Sequence, residues 1–265
     1  MGPTAAANQR RSLFQSERQR EIVARTLQAG RVDVRELASD LQVTAETIRR
    51  DLSDLQNQRL VRRVHGGAVP WNTQGFEPLL AVRNDQQVAE KRRIARLAVQ
   101  EVPDSGTIII DSGSTLTPLA EYLPRDRHLQ VVTNSLLTAQ VLAQNEAVDV
   151  VVLGGQLRKN TLAMVDSETV ASVAKLSVDT LFISSDGMSV DGGLTTPYRE
   201  EAALKGAMIA AAGRVVALVD YSKMDKTHLV RFASWSDIDV LVTDTRADED
   251  AVIRIEAAGP TVLRA

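Results

Sequence analysis

Apolar residues in the first 70 positions form three short stripes, each with the spacing of three or four residues that marks one face of a helix. Ser16 and Gln19 stand at capping-box spacing and are predicted to start the first helix, which Gly30 ends. Asp33 opens the second helix and Thr44 caps the third. The core-facing residues are Ile22, Val23 and Leu27, then Val34, Leu37, Ala38 and Leu41, then Ile48, Leu52 and Leu55. This succession of helix, short helix, tight turn and helix predicts a helix-turn-helix.

The third helix carries arginine on the side away from its apolar face. At about 100° per residue, Glu46, Arg50 and Ser53 lie opposite that face, and Thr47 and Arg49 lie on its flanks. One guanidinium can bind guanine O6 and N7 in the major groove, and another can pair with a phosphate. A plain three-helix bundle with solvated arginines has the same periodicity, so periodicity alone leaves both interpretations open.

A short hairpin follows the third helix. Residues 60–64 alternate like a strand, residues 65–67 form a turn, and a second strand runs until Pro70. A hairpin directly after such a helix is a wing, and it favours nucleic-acid binding over the plain bundle. We expect Arg62, Arg63 and His65 on this wing to meet the phosphate backbone.

Strands and helices alternate through the rest of the chain, which predicts a mainly parallel sheet with helices on both faces. A helix is predicted over residues 88–102, with Lys91, Arg92 and Arg93 on its polar side, and another over residues 199–212. The predicted strands cover residues 107–110, 129–132, 148–153, 180–184, 214–219 and 240–243.

Glycine and small polar residues follow the first five strands, at the edge where open α/β sheets bind ligands. Residues 111–115 lead into a predicted helix, so that backbone N–H groups in this loop would cradle an anion. Lys223 or Arg158 is placed to neutralise the anion, and Asn134 and Asp186 to bind hydroxyl groups. The loop has neither the Walker nor the dinucleotide-binding glycine pattern. These residues predict a pocket for a small phosphorylated sugar or polyol, although glycine and serine at strand ends also serve simply as turns.

Charge divides the chain in the same way. Residues 1–70 hold 12 Arg, no Lys and 8 acidic residues, whereas residues 71–265 carry a net charge of −7. A basic head on an acidic body fits nucleic acid at one end and a different ligand at the other. A net charge of +4 is also ordinary for the surface of 70 residues, so charge alone does not decide.

The absence of cysteine excludes disulfides and thiol chemistry, and three scattered histidines form no metal-binding pattern, so we expect neither metal nor cofactor. Without a secretory leader or an apolar run long enough to span a bilayer, the sequence fits a cytoplasmic protein. The predicted organisation is a disordered tail at residues 1–15, a winged helix-turn-helix at 16–70, a linker at 71–87 and an α/β domain at 88–265.

Two runs in the head resemble a known family. Residues 44–52 and 60–68, which include Thr-Ile-Arg-Arg-Asp-Leu and His-Gly-Gly-Ala, resemble the DNA-binding head of the DeoR family of bacterial transcription regulators. Thr44 stands where the family commonly has serine and keeps the capping hydroxyl. The similarity continues to about Asp244, and Ser114 replaces a usual threonine. Its later motifs are residues 111–115, 133–135, 154–155, 186–187, 193–195 and 220–223.

The resemblance implies a winged helix-turn-helix followed by an α/β sensor domain that resembles ribose-5-phosphate isomerase and binds phosphorylated sugars. Residues 112–115 would hold the phosphate with Lys223, and Asp186 and Asn134 would face the sugar. Residues 193–198 and the segment after the wing are similar to fructose-operon repressors, which favours fructose 1-phosphate. The implied pocket consists of Asp111, Ser112, Gly113, Ser114, Thr115, Asn134, Gly154, Gly155, Arg158, Asp186 and Lys223.

The resulting hypothesis is a homo-oligomeric repressor that binds operator DNA through paired heads and is released by a sugar phosphate. Its predicted DNA-binding residues are Thr44, Glu46, Thr47, Arg49, Arg50, Ser53, Arg62, Arg63 and His65. The alternative is a sugar-phosphate isomerase with an appended DNA-binding head. In that case Asp186, Glu200 or Glu201 would supply the base that moves a proton between adjacent carbons.

Overall fold

The structure, a computed structural model, describes residues 14–29, 31–58, 60–71, 83–84 and 86–265. The predicted tail up to residue 13, Gly30, the side chain of Leu27 and most of the predicted linker lie outside the described residues. Contacts between Cα atoms divide the chain into a first unit, Met1–Phe76, and a second unit, Glu77–Ala265.

The first unit is a winged helix-turn-helix, as predicted. Its helices are α1 (Gln15–Ala29), α2 (Val34–Asp40) and α3 (Ala45–Asn57), and its strands are β1 (Val32–Asp33), β2 (Val61–Val64) and β3 (Gly67–Pro70). The wing strands β2 and β3 pair antiparallel, and β1 adds a third strand that the sequence pattern did not predict. Buried residues of all three helices, among them Ile22, Leu37 and Leu52, form the core of this unit.

Two of the three N-terminal helix caps predicted for the first unit are present in the structure. Asp33 caps α2 and Thr44 caps α3, each through a side-chain oxygen that accepts from backbone N–H groups of the first turn. The predicted cap at Ser16 is wrong, because α1 already begins at Gln15. The Glu17 carboxylate instead accepts from the backbone N–H of Phe14 at 3.0 Å, which is one half of a capping box placed two residues earlier.

A seven-stranded parallel sheet forms the centre of the second unit. Its strands are β4 (Gly106–Ile110), β5 (Leu129–Thr133), β6 (Val148–Val152), β9 (Val178–Ile183), β12 (Ala212–Leu218), β14 (Val240–Thr243) and β15 (Thr261–Arg264). Their spatial order is β15-β14-β12-β9-β4-β5-β6. Six of these strands correspond to the predicted ones; the edge strand β15 was missed because it is short and half exposed.

Alternate residues of the central strands enter two separate cores, one on each face of the sheet. Ile108 and Ile110 of β4 lie in one core and Ile109 lies in the other. The helices are α4 (Val88–Ala98), α5 (Thr117–Glu121), α6 (Leu136–Leu142), α7 (Ser167–Val173), α8 (Arg199–Ala211) and α9 (Glu249–Ala257). Short 3-10 turns occupy Val99–Glu101, Tyr221–Lys223 and Trp235–Asp237.

Two small antiparallel sheets complete the second unit, and neither was predicted. One pairs β7 (Leu157–Arg158) with β8 (Ala163–Met164). The other joins β10 (Gly187–Ser189), β11 (Gly193–Thr196) and β13 (Val230–Ala233). The second of these sheets follows β9 directly and brings Asp186 and Thr196 to the carboxyl ends of the central strands.

Candidate functional site

The exposed face of α3 carries the side chains that the sequence predicted there. Ile48 and Leu52 are fully buried, whereas Glu46, Arg49 and Arg50 are exposed. Arg49 forms an ion pair with Glu46 at 3.2 Å, one turn earlier on the same surface. Thr44 Oγ1 accepts from the backbone N–H of Thr47 at 3.1 Å, so these two residues fix the start of the helix as well as its exposed edge.

Asp51 is a buried residue of α3 that sequence reasoning overlooked. It is 1% exposed, and its two carboxylate oxygens accept from Arg18 Nε at 2.6 Å and Arg18 Nη2 at 3.2 Å. Gln19 Nε2 donates to the same carboxylate at 3.2 Å. This bidentate pair ties α1 to the middle of α3 and fixes the rotation of α3, which in turn determines that Arg49 and Arg50 point outward.

The wing places Arg62, Arg63 and His65 at the surface beside α3. Arg63 Nη1 donates to Ser53 Oγ at 2.7 Å, and the backbone N–H of Arg63 donates to the Gln56 side chain at 2.9 Å. A groove of about 500 Å³ lies between the wing and α3. Its basic lining residues are Arg31, Arg35, Arg49, Arg63 and His65, of which Arg31 and Arg35 were not singled out from the sequence.

In the second unit, the loop after β4 begins with a buried carboxylate that is already paired. Asp111 is 1% exposed, and Lys205 of α8 donates to it and, at 2.9 Å, to the backbone carbonyl of Ser184. Burial alone would lower the pKa of Lys205, but the carboxylates of Asp111 and Glu201 outweigh it and hold the pKa above its ordinary value. This ion pair positions the loop. The role of Lys205 was missed because the sequence showed only that it lies within a helix, not that it faces Asp111.

The loop has open backbone N–H groups: those of residues 112–115 form no hydrogen bond within the part of the chain that the structure describes. The loop leads into a helix, as predicted: the Gly113 carbonyl accepts from the N–H groups of Leu116 and Thr117, and α5, only five residues long, begins at Thr117. The anion-binding capacity of the loop therefore lies in its own N–H groups and in the side chains around it.

Lys91 is the main side chain that the sequence assigned wrongly. It was predicted on the polar side of its helix, yet it is 4% exposed, and its Nζ donates to Ser114 Oγ at 2.9 Å and to the backbone carbonyl of Arg83 at 2.6 Å. Burial, together with the positive charges of Lys223 and Arg83, lowers the pKa of Lys91 to about 8 against the attraction of Asp220. A cavity of about 190 Å³ opens beside Lys91 and Ser114.

Lys223 and Arg83 belong to the same cluster of cations. Burial and the positive charge of Arg83 lower the pKa of Lys223. Arg83 lies 3.4 Å from Asp186, and although burial would raise the pKa of Asp186, the charges of Arg83, Lys223 and Lys205 hold it below its ordinary value. Cations that depress one another's pKa beside open N–H groups are stabilised when a dianion binds among them.

A carboxylate network adjoins this cluster of cations through the pair of Arg83 and Asp186. Thr196 Oγ1 lies 3.0 Å from Asp186 Oδ2 and 3.1 Å from Glu201 Oε2, so that one hydroxyl bridges two carboxyl groups. Burial, aided by Asp186, raises the pKa of Glu201 although Arg158 pairs with it. The guanidinium of Arg158 also stacks on the ring of Tyr198 at 3.5 Å, while Glu200 is exposed.

Three other predicted pocket residues have structural roles in this fold. Asn134 is fully buried; its Nδ2 donates to the Met164 carbonyl at 3.2 Å, and its Oδ1 has no partner among the described residues. Gly155 has a φ of +139°, and a Cβ there would collide with the Thr169 hydroxyl. The Gly154 carbonyl accepts from Thr169 Oγ1 at 2.8 Å.

A search of the described residues finds no cluster of three or more metal-ligating side chains. Within the same residues, no helix is long and apolar enough to cross a membrane.

Comparison with known proteins gives relatives that cover nearly the whole chain. The HTH-type transcriptional regulator GlpR of Haloferax volcanii is 35% identical over 251 residues, which span 95% of this chain and 98% of the relative. The glycerol-3-phosphate regulon repressor of Escherichia coli (strain K12) is 31% identical over 238 residues, spanning 87% and 91%. A putative aga operon transcriptional repressor of Escherichia coli O157:H7 is 28% identical over 265 residues.

Similar solved structures include ribose 5-phosphate isomerase A from Neisseria gonorrhoeae, with 21% identity and a TM-score of 0.38 over 52% of this chain and 54% of the other. A likeness of this extent identifies no activity.

The relatives that match along the chain are named regulators and repressors, so the chain is a regulator and the isomerase alternative is set aside. The family description "DeoR-like helix-turn-helix domain" matches residues 18–74, and "DeoR C terminal sensor domain" matches residues 86–245. The chain therefore belongs to the DeoR family of transcription regulators.

Proposed function

We propose that this protein is a repressor of an operon of carbohydrate metabolism and that a phosphorylated sugar or polyol, bound in its second unit, releases it from DNA. The observation that carries the sensing part is the cluster of Lys91, Lys223 and Arg83 beside the open N–H groups of residues 112–115. The regulators named above, which act in glycerol-3-phosphate and aga systems, support a carbohydrate role.

In the first unit, α3 enters the major groove and the wing meets the adjacent phosphates. Arg50 is exposed on α3 and forms no ion pair among the described residues. By contrast, Arg49 forms an ion pair with Glu46, and Arg63 donates a hydrogen bond to Ser53. An exposed guanidinium near the start of such a helix suits bidentate binding to guanine. Arg62 and His65, together with Arg31 and Arg35 in the groove, supply phosphate contacts.

Replacing Arg50 with alanine is expected to weaken operator binding by about 1–3 kcal/mol and to relax the preference at one base pair. The loss arises because a base contact made by the guanidinium disappears. The measurement is fluorescence anisotropy with duplexes selected from a random pool by the unmodified protein.

Arg62→Ala is the matched control for Arg50→Ala, since Arg62 is an exposed arginine of the wing. It should weaken binding to all duplexes alike and reduce the slope of log affinity against log salt by about 1. If Arg50→Ala leaves both affinity and sequence preference unchanged, α3 does not read bases through this residue.

Phosphate recognition by the second unit is tested by thermal unfolding of the full chain. Fructose 1-phosphate and glycerol 3-phosphate are compared with fructose and glycerol. A ligand at about 100 times its Kd adds about 2.7 kcal/mol to the stability of the unit that binds it, which gives a visible shift of Tm. We expect a shift with at least one sugar or polyol phosphate and none with its parent.

Lys223→Ala is expected to abolish that shift while leaving DNA binding without ligand nearly intact, because Lys223 lies in the second unit among the phosphate-binding cations. Lys226→Ala, a change at an exposed lysine three residues further on, serves as the control. An unchanged shift in Lys223→Ala would remove Lys223 from the phosphate site. A flat response of the unmodified protein to every sugar phosphate tried would contradict the sensing part of the proposal.

Arg83 offers a route from the pocket to the segment that precedes it. The guanidinium of Arg83 contacts Asp186, and its carbonyl accepts from Lys91, so the start of the described second unit is bonded to the pocket twice. A phosphate beside Lys91 competes with Asp186 for the guanidinium. The ligand therefore binds more tightly to an arrangement in which Arg83 has left Asp186. Because its affinity differs between the two arrangements, the ligand shifts the equilibrium from DNA-bound to released protein.

A further inference from the structure

The strand β6 forms an edge of the large sheet that no other described strand covers. It stands last in the sheet order and pairs only with β5 among the residues that are described. Its sequence, Val-Asp-Val-Val-Val, contains neither the lysine nor the proline that commonly discourages pairing at an edge. Val151 and Val152 are 42% and 44% exposed, and Leu136 and Leu157, on adjoining segments, are exposed as well. An uncovered apolar edge of this kind is a template for another strand.

The backbone groups of β6 show which residues face outward. Leu153 N–H donates to the Thr133 carbonyl at 2.9 Å, and Leu129 N–H donates to the Ala147 carbonyl at 3.2 Å, so the odd-numbered residues bond to β5. Residues 148, 150, 152 and 154 therefore direct their N–H and C=O groups away from the sheet.

Two of these outward groups are already bonded within the chain. Val148 N–H donates to the Asn145 carbonyl at 3.2 Å. The Gly154 carbonyl accepts from Thr169 Oγ1 at 2.8 Å. A strand that pairs with this edge therefore cannot use these two groups for its own hydrogen bonds.

A second copy of β6 in one antiparallel register meets that condition. With Val151 opposite Val151 of the second copy, Val150 faces Val152 and Val148 faces Gly154, so every remaining outward N–H meets an outward C=O. The bond that this register omits, once on each side of the axis, would join Val148 N–H to the Gly154 carbonyl, the two groups that are already satisfied. Registers centred on Val150 or Val152 leave an outward group without a partner.

Charge is compatible with the same register. Asp149, the one charged residue of β6, faces Leu153 of the second copy. The two Asp149 residues then lie four positions apart along the paired strands, about 13 Å, which exceeds the Debye length of about 8 Å at physiological salt.

We propose that two copies of the chain form a dimer by antiparallel pairing of β6 about a two-fold axis at Val151. The partner is a second copy because the pattern of open groups complements itself, as a two-fold interface requires. Such a dimer presents two heads, which suits repeated half-sites on DNA. The proposal does not depend on ligand binding in the pocket.

Single cysteines test the register directly, because the natural chain contains none. Facing residues of a non-hydrogen-bonded antiparallel pair have Cα atoms about 4.5 Å apart, within disulfide reach. Val151→Cys is expected to give a covalent dimer under mild oxidation. Val150→Cys and Val152→Cys would place their like residues about 8 Å apart and should not, and Ile253→Cys, at an exposed position of α9, is the control.

The oligomeric state supplies an independent test. Val151→Lys is expected to raise the dissociation constant of the dimer at least about tenfold in sedimentation measurements on the full chain, because like charges would face each other across the axis. Ile253→Lys should leave it unchanged. A protein that is monomeric at every concentration overturns the proposal, as does a dimer that Val151→Lys leaves intact. Cross-linking at residue 150 or 152 in preference to 151, or equally at Ile253→Cys, overturns the register.

Discussion

Replacing Lys205 with methionine is expected to lower the free energy of unfolding of the second unit by about 3–5 kcal/mol. Methionine matches the length of the lysine stem but leaves the Asp111 carboxylate, which is 1% exposed, without its cation. It also removes the donor to the Ser184 carbonyl. Urea unfolding followed through Trp235, a buried residue of the second unit, measures the change.

A second variant separates this effect from simple loss of packing. Lys205→Met combined with Asp111→Leu removes both charges and should recover most of the lost stability, because a buried pair replaced by apolar residues of similar size is often neutral. Lys226→Met, at an exposed lysine, should change the stability little. If Lys205→Met costs less than about 1 kcal/mol, Asp111 has another cation or water as its partner, and the pair does not position the loop.

The sequence predicted no range for α5, α6, α7 or α9, but it predicted α1 to α4, α8 and six strands of the large sheet, because the apolar residues of these elements form clear periodic or continuous runs. It placed Arg49, Arg50 and the wing correctly at the surface for the same reason. The missed strands, such as β15 and β1, are short and lie at edges, where burial leaves little periodic signal.

The missed functional side chains share one signal. Lys91 begins a run with Ile94, Ala95 and Ala98 at positions i, i+3, i+4 and i+7, so it occupies a core-facing position of α4. Asp51 in α3 and Lys205 in α8 also stand within the buried stripes of their helices. A charged residue inside an apolar stripe predicts a buried, paired group.

The partners of these buried charges are not predictable from the same pattern. Asp111 and Lys205 are 94 residues apart in the sequence, and only the sheet brings them together. Gly155 shows a different limit of the pattern, because a Cβ there would collide with the Thr169 hydroxyl, so packing alone accounts for this glycine. A Cβ at Gly154 would meet nothing within 4 Å, and its assignment to the ligand site stays a prediction.

Binding of a phosphorylated ligand is expected to weaken about tenfold between pH 7 and pH 9 through the titration of Lys91. The pKa of its amine is about 8 in the unliganded protein, and a bound phosphate raises it by attraction. Affinity is therefore full below pH 8 and falls, by up to tenfold per pH unit, as the pH rises toward the pKa of the bound state. The phosphate itself stays doubly ionised across this range, since its second pKa is about 6.

Lys91→Met removes this dependence together with most of the affinity, because the donor to Ser114 and one positive charge of the cluster are lost. Arg93→Met, an exposed change on the same helix, is the matched control and should keep both affinity and pH profile. Calorimetric titration with the sugar phosphate that gives the largest thermal shift, in buffers of different ionisation enthalpy, reports the protons taken up on binding. At pH 8 to 9 the unmodified protein should take up a proton and Lys91→Met should take up fewer. Equal uptake by both would assign the titration to Lys223 and take Lys91 out of the phosphate site.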